Sequence, residues 1–372
     1  MVDISDLIQT KSNELGLSLI GITDPSQPAH YAHFVNWLAQ KHFGDMSYLE
    51  NHRSRELRKN PCLLMPQCKS IIVIGLPYSP GILSNNDFYG KIAYFAQQPD
   101  YHLVIRNKLN HLLDFIKEIY EIDVNGSIFC DSAPLLEKEL AQRAGLGWIG
   151  KNSLLISPHF GSFFNIGELF LSIELPHSLP KNQDLCGDCH LCIDACPTQC
   201  IQTDRTLKAD HCISYLTIEH KGIIDQALRS KMNSWVFGCD ICQIVCPWNK
   251  EKLKESQYEV PKKGPFQKRL RDKGFSDEQF FILFGNSPIE RIKRRGFFRN
   301  YAITLGNSGS SDAIHDLEFL FNNEDPVIRI YTAWALGKIK SPQSKNILDN
   351  KLMQEKNPDV LEEIKKTLTT MN

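Results

Sequence analysis

CGDCHLCIDACP occupies residues 186–197 and CDICQIVCP residues 239–247. The first segment sets Cys186, Cys189, Cys192 and Cys196 in a C-x2-C-x2-C-x3-C-P run, and the second repeats its later part through Cys239, Cys242 and Cys246. In this spacing three cysteines bind one 4Fe–4S cubane and the fourth reaches across to another. Cys246 therefore completes the set of Cys186, Cys189 and Cys192, while Cys196 joins Cys239 and Cys242. Cys212, which lies between the segments, replaces the cysteine missing from the start of the second run. Both cubanes close with no thiolate left over. Paired C-x2-C motifs also build tetrahedral zinc sites, but zinc leaves the two x3-C-P endings unexplained. The expectation is a chain that moves electrons.

At 372 residues the chain is long enough for two or three domains. Its net charge of −1 points by itself to neither a nucleic-acid nor a membrane partner. Twelve cysteines are too sparse in a chain of this length for a secreted disulfide scaffold, and thiolate clusters need reducing surroundings. The N-terminal MVDISDLIQTKSNELG has early acidic residues, no apolar leader, no twin arginine and no lipidation signal. No apolar run approaches the ~20 residues of a membrane span. A cytoplasmic protein without a membrane partner is expected, and a monomer, because no coiled-coil seam is visible. Cys62, Cys68, Cys130 and Cys200 fall outside the ligand set and read as small buried or half-buried thiols.

Periodicity divides the rest. Residues 1–178 alternate helical patterns, as at Ile4-Leu7-Ile8 and Leu103–Ile116, with strand-like runs at Leu19–Ile22, Ser70–Gly75, Ser127–Cys130 and Gly167–Leu175. Such alternation argues an α/β catalytic domain. Residues 179–250 form a bacterial ferredoxin-like module whose core is inorganic. A polar, lysine-rich linker follows from Lys250 to Lys263. RNYAITLGNSG (299–309) and RIYTAWALGKI (329–339) then superimpose, Leu305-Gly306 on Leu336-Gly337, and Asp325-Pro326 recurs as Asn357-Pro358. A period of this length suggests that residues 251–372 end in an all-α, HEAT-like repeat segment. A plain helical tail is the alternative.

The stretch CDSAPLLEKELAQRAGLGWIGKNSLLI (130–156) places Asp131 at the carboxyl end of a strand, where open α/β sheets bind ligands. Pro134 is expected to open a helix running to Ala144. Two roles fit Asp131: a cap for that helix, or a proton donor. Gly145, Gly147 and Gly150 surround Trp148 and lead into Lys151, which could meet a phosphate or a polar cofactor edge. The pattern is neither a dinucleotide fingerprint nor a P-loop.

DSAPLLEKELAQRAGLGWIGKNSLLI (131–156), CGDCHLCIDACPT (186–198), HCISYLTIEHKG (211–222) and CDICQIVCPWN (239–249) together resemble the epoxyqueuosine reductase family. The resemblance spans the whole chain and implies a catalytic core like that of reductive dehalogenases. It implies bound cobalamin beside the two 4Fe–4S clusters, and epoxyqueuosine at the tRNA wobble position as substrate. Carried over by residue, it makes Asp131 the catalytic proton donor and the eight cysteines above the cluster ligands. It also implies cobalamin contacts from Lys151, Asn152, Ser153, Ser214 and Asp240. One departure is visible: YFAQQPDYH (94–102) keeps Asp100, Tyr101 and His102, but Gln98-Pro99 replace a glycine-and-basic pair.

The implied chemistry suits these parts. Turning an epoxide into an alkene takes two electrons and two protons and releases water. Clusters pass electrons singly, so an accumulating relay is required, and an unidentified low-potential donor must feed them. The departing oxygen needs a general acid, which at neutral pH requires a carboxyl with a raised pKa.

Acting on tRNA calls for a local phosphate footprint despite the neutral total. Arg291, Lys293, Arg294, Arg295 and Arg299 supply a candidate, with Lys262, Lys263, Lys268, Arg269, Arg271 and Lys273 upstream. A solvated charged face is the bland alternative. Three other functions compete: a cobalamin-linked dehalogenase on a small organohalide, a non-catalytic ferredoxin-type electron carrier, and a tRNA-binding scaffold with structural zinc.

Overall fold

The computed structural model describes residues 4–80, 90–120, 123–180, 183–255 and 276–371. Along the chain these form α1 (Ile4–Glu14), β1 (Leu19–Thr23), α2 (Tyr31–Ala39), α3 (His52–Lys59), β2 (Ser70–Pro77), β3 (Lys91–Ile92), α4 (Tyr101–Tyr120) and β4 (Gly126–Phe129). There follow α5 (Glu137–Arg143), β5 (Trp148–Ile149), β6 (Leu155–Ile156), β7 (Phe164–Leu171), α6 (Leu191–Asp194), α7 (Ile213–Ile218) and α8 (Gln226–Arg229). The remainder comprises β8 (Trp235–Phe237), α9 (Ile241–Ile244), α10 (Lys250–Glu255), α11 (Asp277–Phe284), α12 (Lys293–Ser308), α13 (Ile314–Phe321), α14 (Pro326–Ile339), α15 (Pro342–Gln354) and α16 (Pro358–Met371).

Two compact units divide the chain: Met1–Pro80, Gln98–Asp210 and Ile241–Ser256 in the first, Gly81–Gln97, His211–Asp240 and Gln257–Asn372 in the second. The division does not follow the three consecutive segments expected from the sequence, because residues 179–250 are shared between the units. Of the expected linker, the described part from Lys250 to Glu255 is helical; its remainder lies outside the described residues.

The first unit holds a sheet of order β1-β2-β7-β4 in which every pair is antiparallel. On β2, Ile72 and Ile74 join a core with Ile105, Leu109, Leu112 and Ile116 of α4 and Ile8 of α1. Ile71 and Val73 face the other way, toward Leu135, and Leu140 and Ala141 of α5. Covering both faces explains why β2 reads as an unbroken apolar run, a pattern more usual in parallel sheets. The mixed helix-and-strand class stands, but the carboxyl-end rule that drew attention to Asp131 belongs to parallel sheets and does not describe this one.

A second difference concerns Asp131 directly. The helix expected from Pro134 begins at Glu137, and its N-cap is Leu136, which makes no side-chain cap bond. Pro134 instead lies in the turn before the helix, and Asp131 is not the cap of α5.

In the second unit, β3 pairs in parallel with β8, and the C-terminal helices form two layers. α12, α14 and α16 stack side by side, while α13 and α15 cover them. The repeated Leu-Gly marks the helix crossings: a Cβ on Gly306 would meet the Ala335 backbone at 2.7 Å, and one on Gly337 would meet Thr367 Cγ2 at 2.2 Å. Only glycine lets the next helix come this close. The repeated Asp-Pro and Asn-Pro are helix starts, with Asp325 accepting Val327 N–H at 2.9 Å and Asn357 accepting Val360 N–H at 3.2 Å.

Candidate active site

Asp131 lies two residues past β4 at φ 56°, a left-handed conformation that aspartate tolerates better than most residues. Its carboxylate is half exposed at the wall of a 760 Å³ cavity in the first unit. Oδ2 accepts the Tyr101 hydroxyl at 3.0 Å and lies 3.6 Å from His102 Nε2. On its far side, His102 Nδ1 meets Asp100 Oδ1 at 2.7 Å. The Asp100-Tyr101-His102 triplet retained in the departing segment thus converges on Asp131, with the two rings stacked 4.1 Å apart. Burial first, then the Asp131 charge, push the Tyr101 phenol upward, so it stays a donor. The hydrogen bond to Asp131 leads in raising the His102 pKa, although burial opposes it.

Two further acids stand behind Asp131. Glu137, the first residue of α5, accepts the Asp131 N–H on Oε1 at 2.6 Å and lines the same cavity. Glu168 lies on β7, on the face that α5 covers; it is wholly buried, and neither carboxylate oxygen has a hydrogen-bond partner. Burial is the largest cause raising both, taking Glu137 up to about 8. Lys138 faces the cavity too, donates to Ser153 O at 2.6 Å, and has its ammonium pKa lowered by desolvation. Sequence reading missed these residues. A lone acid inside the apolar strand FNIGELFL was the available signal for Glu168.

The glycine-rich stretch forms a small hairpin, with β5 antiparallel to β6. Its turn carries the three residues expected at cobalamin. Ser153 lines the cavity and its hydroxyl donates to Arg205 O. Asn152 is buried with Nδ2 unbonded, an orphaned donor that a ligand could satisfy. Lys151 Nζ donates to Gly187 O at 2.6 Å, within the first cysteine loop. Trp148 Nε1 donates to Cys186 Sγ at 3.4 Å, and its ring meets Trp248 edge-on at 4.9 Å. One hairpin therefore touches both the cavity and the first cysteine set.

That set is gathered. The Cys246 thiol feels Cys186, Cys192 and Cys189, with burial the larger influence raising its pKa. Backbone N–H groups of Cys192 and Ile193 point at the Cys192 sulfur, and that of Trp248 at Cys246. Sulfurs ringed by N–H donors on a turn of this spacing suit a cubane, whose potential such bonds tune. Among the described residues, no three His, Cys, Asp or Glu side chains are arranged to hold a single metal ion. In the other set, Cys196 Sγ lies 3.5 Å from Cys200 Sγ, and that contact leads in lowering the Cys196 pKa to about 5. Cys62, Cys68 and Cys130 are pushed upward by burial, as inert thiols should be.

Ser214 and Asp240 belong to the second unit. Ser214 is half-buried on α7. Asp240 is 1% exposed and accepts Tyr94 N–H at 2.7 Å. Arg299 corrects an expectation outright. It is 3% exposed, with its guanidinium on the carbonyls of His220 and Leu216, where it joins α12 to the 211–240 segment. Apolar α12 neighbours and unpaired carbonyls at the end of α7 pull it inward. The other cations stay nearer the surface, each beside an acid: Arg291 with Glu219, Lys293 with Glu290, Arg294 with Asp277 and Arg295 with Asp325. The basic residues from Lys262 to Lys273 lie outside the described residues. No described helix is long and apolar enough to cross a membrane.

Comparison with known proteins agrees with this arrangement. The family model for a 4Fe–4S double cluster binding domain matches residues 185–249, and one for epoxyqueuosine reductase QueG matches residues 58–132. Epoxyqueuosine reductase of Pseudomonas aeruginosa is 36% identical over 90% of this chain and 94% of its own length. That of Escherichia coli K12 is 34% identical over 87% of this chain and 86% of its own. A crystal structure of epoxyqueuosine reductase with an epoxyqueuosine-modified tRNA-Tyr stem loop superimposes with a TM-score of 0.87 at 30% identity, covering 99% of this chain and 98% of that one. The Bacillus subtilis enzyme, solved with its catalytic aspartate loop swung out of the active site, gives a TM-score of 0.86 at 29% identity, covering 99% of each chain. Joined by Asp131 at the cavity and the double-cluster cysteines, these matches place the chain in the epoxyqueuosine reductase family.

Proposed function

We propose that this chain reduces the epoxide of epoxyqueuosine, at the wobble position of tRNA, to the alkene of queuosine. The observation that carries the reading is similarity along nearly the whole chain to epoxyqueuosine reductases, one of them solved with a modified tRNA stem loop. Asp131 is the proton donor: it faces the cavity, is not the cap of α5, and is held by Tyr101 and His102. Cys186, Cys189, Cys192 and Cys246 would hold one 4Fe–4S cluster and Cys196, Cys212, Cys239 and Cys242 the other, and these clusters would supply electrons one at a time from a low-potential donor.

Cobalamin is the cofactor we assign to the cavity. Its volume, the apolar walls supplied by Phe34, Trp37, Leu135 and Ile149, and the orphaned Asn152 amide suit a large ligand with an amide fringe. Asn152 and Ser153 would hold it, with Lys151 as a further contact. When bound it supplies a cobalt that collects two electrons and acts as a nucleophile. The protein's own part is to position the wobble base, exclude water and deliver protons from Asp131.

The stacked helix pairs from Lys293 to Met371 support a HEAT-like reading of the tail. Its exposed cations, Arg291, Lys293 and Arg295, are assigned to tRNA phosphates. The wobble nucleotide must leave its stack to reach the cavity. A cytoplasmic monomer completes the reading.

Anaerobic purification with iron, sulfide, cobalt and corrin analysis tests it. Eight iron atoms and one corrin per chain are expected on the roughly two-cubane arithmetic of this spacing. Iron without corrin would favour a bare electron carrier, and zinc would favour a scaffold.

A further inference from the structure

Removing an epoxide oxygen as water consumes two protons, and one aspartic acid holds one. Two further carboxyl groups stand close to it. Glu137 stands on the cavity wall, with Oε1 on the Asp131 N–H at 2.6 Å. Behind it Glu168 is sealed inside the sheet with both oxygens unbonded. A carboxylate left so would carry an uncompensated buried charge, and even a neutral acid loses about 1–3 kcal/mol per unmade bond. Such a group demands an explanation.

Resting on the reduction proposed above, we infer that Glu137 recharges Asp131 between the two protonations, with Glu168 a neutral acid that keeps negative charge off Glu137. In the balanced reaction both carbon–oxygen bonds of the epoxide break. The carbon pair takes two electrons, supplied in all by the low-potential donor, and becomes an alkene, and the oxygen departs as water. Asp131 gives the first proton as the ring opens. Glu137 then passes its proton to the Asp131 carboxylate, which delivers it to the departing hydroxyl. Solvent reloads Glu137 through the cavity.

The surroundings favour a loaded Glu137. Around it stand Asp131 and Cys130 just past β4, Tyr101 and His102 of α4, Lys138 of α5, Arg58 of α3 and Glu168 of β7. Burial raises the acid most, and the charge that Asp131 carries once it has given its proton adds to it, against the cations Lys138 and His102, which brings Glu137 up to about 8. Glu137 is therefore protonated at neutral pH and loses its proton above it. It acts through Asp131 and is a positioning and relay residue.

The test is single turnover by the prereduced full chain on an epoxyqueuosine-bearing anticodon stem loop, across pH 6.5 to 9.5. The wild-type rate should fall as pH rises through about 8. Glu137→Gln keeps an oxygen for the Asp131 N–H but carries no proton. It should lower the rate by ~10²-fold with the KM little changed, and lose the alkaline fall. Glu137→Asp should regain part of the rate and the fall. A Glu137→Gln enzyme with the wild-type rate, or one that is slow but keeps the wild-type alkaline fall, overturns the relay. If Glu137→Gln fails to hold iron, Glu137→Asp decides: no alkaline fall in it likewise overturns the relay. A wild-type chain that never yields alkene sinks the reduction itself, which is a different failure.

Discussion

Tyr101 donates its hydroxyl to Asp131 Oδ2 across 3.0 Å, from the first residue of α4 to the turn that follows β4. That bond fixes a carboxylate whose backbone sits in a sparsely populated conformation. It also explains why the Asp-Tyr-His triplet is present while the rest of its segment differs.

Asp131→Asn keeps the shape and removes the transferable proton, so turnover should fall ~10²–10⁴-fold. Iron content, corrin content and stem-loop affinity should stay normal. Tyr101→Phe removes only the positioning bond and should cost about tenfold, a net hydrogen bond of roughly 1.5 kcal/mol. Full turnover in Asp131→Asn would move the proton donor to a neighbouring group, His102 first.

Cys246→Ser should lose the cluster of Cys186, Cys189 and Cys192 and spare the other, while Cys212→Ser should do the reverse. Iron per chain and the electron paramagnetic resonance of the reduced protein read the outcome. Cys200→Ala serves as a control, because its sulfur lies 3.5 Å from Cys196 yet stands outside the spacing. Iron loss from Cys200→Ala would show that the ligand count is wrong.

The ligand spacing was legible because a cubane dictates its own sequence. So were β2, α4 and the helical tail, whose apolar patterns follow directly from burial. Strand direction was not, since β2 is covered on both faces and its apolar run carries no sign of direction. Asp131 was singled out by a rule for parallel sheets and by resemblance, and it lies on the cavity wall. Its supports were hidden, because Tyr101, Glu137 and Glu168 come together only when α4, α5 and β7 pack. Arg299 shows the opposite failure. Charge in a basic run reads as surface, and nothing local reveals the carbonyls of Leu216 and His220 that claim it.

The tRNA footprint should be uneven. Arg295 is 54% exposed with one acid partner, whereas Arg294 is 18% exposed and lies between Asp277 and Glu324. Arg295→Ala should weaken stem-loop binding and reduce the salt slope by about 0.7–0.9, the value of one phosphate contact. Arg294→Ala should change the slope less. Equal slopes in wild type and Arg295→Ala, measured by anisotropy over a salt series, would return this stretch to a solvated surface.

Arg329 holds Glu355 with two bonds, 2.7 and 2.9 Å, tying the first turn of α14 to the turn before α16. The Arg329 bond leads in holding the Glu355 carboxyl down at about 2. A depressed carboxyl stabilises the fold above its unfolded pKa, so this contribution is whole at neutral pH. It is lost as pH falls from roughly 4.3 toward about 2. Glu355→Gln should lower the melting temperature at pH 7 and converge with wild type near pH 2. A mutant gap that persisted unchanged in acid would contradict the pairing.

The central claim is that this chain takes one oxygen atom from a modified nucleoside in tRNA. Its most direct measurement is nucleoside mass spectrometry of an epoxyqueuosine-bearing stem loop after anaerobic incubation with the cluster-loaded, cobalamin-supplemented protein and a low-potential reductant. Queuosine, lighter than its precursor by one oxygen, should accumulate with wild type and not with Asp131→Asn. An unchanged precursor mass, with clusters and corrin verified in the same sample, would contradict the account.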